Sequence, residues 1–108
     1  MGDLPAITDT GRHARANFRR VDPPCAVEID LGTLFPRQPH RSGGYQAGGL
    51  QMHLVVRGQL ICWGRSVESE WWGLVTYPIA FGLQQKTVTH WIPAWVLRPN
   101  ATVRRIAP

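Results

Sequence analysis

The chain has 108 residues, with 12 Lys and Arg against 7 Asp and Glu, so its formal net charge is +5. This length fits one domain, and a hydrophobic share of 44% excludes a wholly disordered chain. With 11 glycines, 9 prolines and 2 cysteines, the composition also excludes a collagen-like chain and a disulfide-rich miniprotein. Five tryptophans are many for a domain of this size.

The start of the chain predicts a cytoplasmic protein. Residues 1–10 lack the basic start and apolar run of a signal peptide. No stretch reaches the roughly 18 apolar residues that span a bilayer. We therefore expect reduced thiols and no membrane partner.

Residues 1–24 have the composition of a flexible basic arm. They hold few large apolar side chains and end in Asp22-Pro23-Pro24, where a helix cannot easily continue. Their arginines are Arg12, Arg15, Arg19 and Arg20. We expect a disordered arm, and its ordering on a polyanion is the alternative.

The rest of the chain predicts an all-β domain over 25–99, followed by a polar basic tail at 100–108. Residues 25–31 alternate apolar and acidic side chains, as a half-buried strand does, and 35–49 is a long loop rich in turn formers. Further short strands are predicted at 50–56, 59–64, 71–78, 86–92 and 96–98, with turns at Arg57-Gly58 and Pro93-Ala94-Trp95. Such elements favour a small barrel of about five short strands.

Two motifs suggest catalysis or metal binding, and we reject both. Asp9-Thr10-Gly11 matches the aspartic protease triplet but lies inside the polar arm, without the apolar strand that such an enzyme needs. The zinc-ligand types Cys25, Cys62, His53 and His90 have none of the usual zinc spacings. We predict a protein that is not an enzyme, with no metal, cofactor or small-molecule substrate.

The second half resembles the C-terminal part of SH3 domains. Glu70–Val75 contains a paired tryptophan that opens a strand, and His90–Val96 contains an aromatic-apolar-proline turn that leads to a final short strand. Val56–Leu60 resembles the turn and strand that precede the paired tryptophan. The resemblance implies an SH3-like barrel with a peptide groove.

The resemblance also implies the residues of that groove. Trp71 matches the tryptophan that lies across it, Pro93 the groove proline, and Trp95 stands near the groove tyrosine. Since Trp71 and Trp72 are adjacent on a strand, one is expected in the core and the other partly exposed. In total, about three of the five tryptophans are expected in the core. The other candidate groove residues are Tyr77 or Trp63, with Glu68 and Glu70 as an acidic rim.

Two functions remain open from the sequence. The first is an interaction module that holds a segment of a partner protein between exposed aromatic rings. The alternative is a nucleic-acid-binding barrel, in which arginines contact phosphates and one or two aromatic rings stack on bases. The candidate phosphate-binding residues come from the arm, the long loop and the tail: Arg12, Arg15, Arg19, Arg20, Arg37 and Arg41, with Arg98, Arg104 and Arg105 of the tail.

Overall fold

The computed structural model describes residues 16–40 and 43–99, which contain five antiparallel strands in one sheet. The strands are β1 (Phe18–Asp30), β2 (Val55–Arg65), β3 (Trp71–Phe81), β4 (Gln84–Pro93) and β5 (Leu97–Pro99). A helical turn, α1 (Leu31–Leu34), follows β1, and a 3₁₀ turn (Ala94–Val96) joins β4 to β5. The strand order is β4-β3-β2-β1-β5. The prediction of an all-β fold is confirmed.

The first strand begins inside the segment that the sequence predicts to be an arm. Residues 18–20 pair with Cys62 to Gly64 of β2, and pairing resumes where Cys25 faces Leu60. Residues 21–24 therefore form a bulge, in which the two prolines need not donate to the ladder. The Asp-Pro-Pro sequence, which predicts the end of the arm, lies within β1. The remainder of the predicted arm, 1–15, and the predicted tail lie outside the described residues.

The predicted strand at 50–56 and the predicted turn at Arg57-Gly58 are both replaced by one continuous β2. Leu50 forms only an isolated bridge with Phe81, and β2 runs through Gly58 without a break. A Cβ atom on Gly58 would lie 2.6 Å from the carbonyl oxygen of Thr76 and 3.0 Å from Cβ of Tyr77. The close approach of β3 therefore requires glycine at this position. Gly58 lies within a strand and does not form a turn.

Strands β3 and β4 form a longer hairpin than the sequence predicts. Phe81 pairs with Gln84, so the connection is only Gly82-Leu83. Gly82 has a φ of +62° at the first central position, which glycine adopts without steric cost in tight hairpin turns. Pro78 does not end β3, because it lies beyond Thr76, the last β3 residue paired with β2. A proline is tolerated where a strand has only one neighbour.

The core lies on one face of the sheet, which we call the inner face. Its buried side chains come from every strand and both turns: Val27, Ile29, Leu31, Leu60, Trp63, Val75, Tyr77, Ile79, Ile92, Val96 and Leu97. Leu97 of β5 packs over β3, since a Cβ atom on Gly73 would lie 2.8 Å from its Cδ1. As β5 and β3 are not neighbours in the sheet, this contact requires strong curvature around the core.

Asp30, the last residue of β1, stabilises the helical turn that follows the strand. Its carboxylate accepts a hydrogen bond from the Thr33 backbone N–H at 3.3 Å, which caps α1, and it lies 3.3 Å from an Nη of Arg98. The cap satisfies one of the donors that a helix start leaves open. The long loop predicted at 35–49 contains no strand or helix among its described residues.

We expect Gly58→Ala to destabilise the fold by about 1–3 kcal/mol, because the added methyl group would overlap the β3 backbone, which cannot move aside. Urea unfolding of the purified chain measures this change. Gly48→Ala is the matched control, since a Cβ atom there meets nothing within 4 Å. Equal stability of the two variants would contradict the account of Gly58.

Candidate functional site

The paired tryptophans at the start of β3 point to opposite faces of the sheet. Trp71 packs against the inner-face core, in the same alternation as buried Val75 and Tyr77. Trp72 therefore projects from the other face, which we call the outer face. Both rings are half-buried, so this end of β3 presents an aromatic side chain on each face.

A groove of about 400 Å³ runs beside these two rings. It is lined by Glu70, Trp71, Trp72, Pro93, Ala94 and Trp95, and we call it the Trp95 groove. Trp72 pairs with Pro93 across β3 and β4, which brings the start of one strand against the end of the other. Trp95 follows in the 3₁₀ turn and is 74% exposed. Four of the seven candidate residues predicted from the sequence thus share one concave surface.

Two arginines lie over the Trp71 ring. The guanidinium carbon of Arg19 is 5.5 Å from the ring centroid and that of Arg65 is 5.1 Å away. Both distances are within the range of a cation–π interaction, worth about 0.5–1 kcal/mol at an exposed site. The register explains the pairing, because Arg65 faces Trp71 directly and Arg19 faces neighbouring Trp63. Trp71 is therefore flanked by positive charge as well as by the groove.

The β2–β3 loop is organised around Ser66. Its hydroxyl oxygen accepts hydrogen bonds from the backbone N–H groups of Glu68, at 3.3 Å, and Glu70, at 3.2 Å. Ser69 takes a φ of 67° to complete the turn. Glu70 lines the Trp95 groove, whereas Glu68 is exposed in the loop and does not line it. The acidic edge of the groove is thus one carboxylate.

Tyr77 and Trp63 lie in the core and do not join the groove. They are 2% and 3% exposed. The Tyr77 hydroxyl forms a hydrogen bond of 2.7 Å with Nε2 of His90, and the His90 ring stacks on Phe35. Burial raises the pKa of Tyr77 and lowers the pKa of His90. Their contacts therefore serve the core.

The tryptophans are less buried than the sequence predicts. Trp63 is in the core, Trp95 is exposed, and the other three rings are half-buried. Sequence reasoning missed Trp72 and Ala94 as groove residues and gave Trp91 no role. The available signal was the alternation of side chains along β3 and β4. It places Trp72 on the other face of the sheet from Trp71, and Trp91 on the other face from buried Ile92.

The predicted phosphate-binding arginines do not form one cluster among the described residues. Arg19 and Arg20 are adjacent on β1 and project from opposite faces, and exposed Arg37 lies in the long loop. Arg12, Arg15 and Arg41 lie outside the described residues. Both cysteines are free thiols. Within 16–40 and 43–99, no three His, Cys, Asp or Glu side chains converge as metal ligands would.

No family model, curated protein or solved structure matches this chain. In the described part of the chain, none of the helices is long and apolar enough to cross a bilayer.

We expect the stability of the fold to fall as the pH drops below about 6.5, in part through His90. Burial lowers the pKa of His90 in the folded chain, so the unfolded chain binds a proton at a higher pH. This contribution is fully present above the unfolded pKa and is lost as the pH falls toward the folded one. Thermal unfolding between about pH 7.5 and 5.5 should show a shallower pH dependence for His90→Gln than for the native chain.

His40→Gln is the control for this measurement, because His40 is exposed. It should keep the native pH dependence, and an identical dependence in both variants would show that His90 does not contribute.

Proposed function

We propose that this chain is a non-enzymatic interaction module that holds an extended segment of another protein in the Trp95 groove. The observation that carries the proposal is that Glu70 and Trp71 meet Pro93 and Trp95, two pairs far apart in sequence, along one concave surface. The Trp95 ring is 74% exposed at the edge of this concave surface, so it is accessible to a partner, and aromatic rings are enriched where proteins bind one another.

We further propose that the curved sheet is an SH3-like barrel. Three features support this: a paired tryptophan that opens β3, a tight β3–β4 hairpin, and a turn after Pro93 that leads to the short β5. The paired tryptophan and the turn after Pro93 are features on which the sequence resemblance depends, whereas the turn that the resemblance implies within Val56–Leu60 is replaced by the continuous β2. The pairing of β5 with β1 and the packing of Leu97 over Gly73 supply the curvature that a barrel needs.

The chemistry of the groove favours an extended ligand with apolar side chains and one basic residue. Flat rings on either side of a shallow slot suit a polyproline II segment, whose conformation is already fixed before binding. Glu70 at the edge of the groove offers a carboxylate for a Lys or Arg of that segment.

A peptide selection tests this function. A library of random peptides of about twelve residues is selected on the immobilised full chain, and the enriched peptides are titrated by fluorescence polarisation. Trp95→Ala should weaken their binding at least thirtyfold, which corresponds to about 2 kcal/mol for a central aromatic contact. Its unfolding free energy should change by less than about 0.5 kcal/mol, since the ring is exposed.

Leu83→Ala is the matched control. Leu83 is also an exposed apolar residue, but it lies at the far end of the β3–β4 hairpin. Failure to enrich any peptide, or equal binding by the two variants, would exclude the Trp95 groove as a peptide site.

The alternative is a nucleic-acid-binding barrel, and the arginines over Trp71 favour it. Arg19 and Arg65 place two guanidinium groups beside an aromatic ring, a combination that binds the phosphates and bases of single-stranded nucleic acid. Glu70 at the adjacent groove opposes it, because a carboxylate repels phosphates. We therefore rank it second.

Salt dependence separates the two functions. If nucleic acid is the partner, a mixed-sequence oligonucleotide should bind at low salt with a steep loss of affinity as salt rises. Replacing both Arg19 and Arg65 by glutamine should then reduce the slope of log affinity against log salt by about 2, because each arginine neutralises one phosphate. The absence of a mobility shift at low salt would exclude this alternative.

A further inference from the structure

The outer face of the sheet carries a second apolar cluster. Cys62 faces Leu74 across β2 and β3, and the two residues are only 1% and 4% exposed. Neither belongs to the inner-face core, since they alternate with core residues along their strands. Burial raises the pKa of the Cys62 thiol, an effect that the nearby charge of Arg20 opposes. Cys62 therefore serves as a small apolar side chain in this cluster.

Aromatic side chains lie beside this cluster, and Trp91 faces Leu74 across β4 and β3. The Trp91 ring crosses β3 and lies over Gly64, because a Cβ atom there would be 3.0 Å from both its Cη2 and its Cζ3. Phe18 and Trp72 are the two neighbours of Gly64 in the sheet. Together these residues form a pocket of about 430 Å³, within the usual range of ligand sites. Its lining is Asn17, Phe18, Gly64, Arg65, Ser66, Trp72 and Trp91, and we call it the Trp91 pocket.

One end of the Trp91 pocket carries hydrogen-bond donors. Arg65 donates from Nε to the side-chain oxygen of Asn17 and from one Nη to the carbonyl of Ala16, both at 3.1 Å. These bonds and the Trp71 ring hold the guanidinium at the end of β2, beside the rim of the pocket that Arg65 and Asn17 line, and its other Nη donates to none of the described residues. The Ser66 oxygen accepts two backbone hydrogen bonds, so its own proton remains able to donate.

We propose that the Trp91 pocket binds a large aromatic side chain of a partner protein. A carboxylate lies next to that side chain in the partner. The three rings supply the apolar contact, and Arg65 with Ser66 supplies the donors for the acid. None of the seven lining residues is acidic, and Arg20 projects from the same face, so a cationic ligand would meet only positive charge.

The Trp91 pocket deepens the proposed function and rests on it, because Trp72 lines both this pocket and the Trp95 groove. A single extended segment can therefore pass from one to the other. The two sites differ in charge: Glu70 favours a basic residue in the Trp95 groove, whereas Arg65 favours an acidic one in the Trp91 pocket. A single apolar pocket suits one inserted side chain better than the successive bases of a nucleic acid.

The experiment uses N-acetyltryptophan, which carries an indole beside a carboxylate, and its neutral amide as the matched probe. The indole N–H signals of the ¹⁵N-labelled full chain are assigned by single Trp→Phe variants and followed during each titration. The signals of Trp72 and Trp91 should move saturably and that of Trp95 should not. The carboxylate should bind about tenfold more tightly than the amide, as a charge-assisted hydrogen bond gives.

Arg65→Gln should abolish the preference for the carboxylate and retain binding of the amide, and Leu83→Ala, far from both sites, should leave both affinities unchanged. Arg65 is exposed, so this variant avoids the folding defect that Trp91→Ala could cause. Equal affinities for the two probes, or movement of the Trp95 signal alone, would overturn the assignment. Two further results would overturn it. One is a thymidine oligonucleotide that shifts the Trp91 signal and binds more tightly than N-acetyltryptophan. The other is a dimer in sedimentation whose formation shifts the Trp91 signal.

The two proposals fail separately in these measurements. Loss of selected peptides with a retained response at Trp91 would overturn the function of the Trp95 groove alone. Selected peptides that bind without any effect of Arg65→Gln or of an added aromatic acid would support the groove and overturn the Trp91 pocket.

Discussion

Adjacent residues of β3 point to opposite faces of the sheet, and the positions of the core and of both candidate surfaces depend on this alternation. The inner positions, with Val75 and Tyr77 among them, enter the core, whereas Trp72 and Leu74 occupy the outer face. A shift of one residue in the pairing of β3 would exchange these two sets. Burial of the inner set therefore fixes where the outer rings lie.

Close packing around β3 fixes that register. Neighbouring groups approach Gly58 and Gly73 so closely that a Cβ atom would lie only 2.6 Å from a backbone oxygen at Gly58 and 2.7 Å from a leucine methyl carbon at Gly73. Such contacts occur in one alignment of the strands only, so they oppose slippage. Gly64 plays the corresponding part on the outer face by leaving room for the Trp91 ring. A glycine that lies within a strand thus marks a close approach in this protein, and a turn is marked by Gly82.

Sequence patterns predicted the start of β3 and the turn after Pro93 better than they predicted the extent of β1 and β2. The start of a strand at Trp71 and the turn after Pro93 are both predictable, because aromatic pairs and prolines mark local structure. The extension of β1 to Phe18 is not, since two prolines argue against a strand unless a bulge removes them from the ladder. Whether Tyr77 or Trp95 is exposed depends on how the sheet curves, and local pattern does not contain that information.

The outer aromatic cluster explains why so many tryptophans fit in a small domain. A curved sheet of this size encloses few large side chains on its inner face, and Trp63 is the tryptophan buried there. Trp72 and Trp91 instead lie on the outer face, on the same side of the sheet as Cys62 and Leu74. Because β4 passes directly into the turn that carries Trp95, the same strand pairing that sets Trp91 over Gly64 also sets Pro93 against Trp72. The two apolar sites are therefore neighbours through the backbone, and a partner that fills both contacts one rigid hairpin.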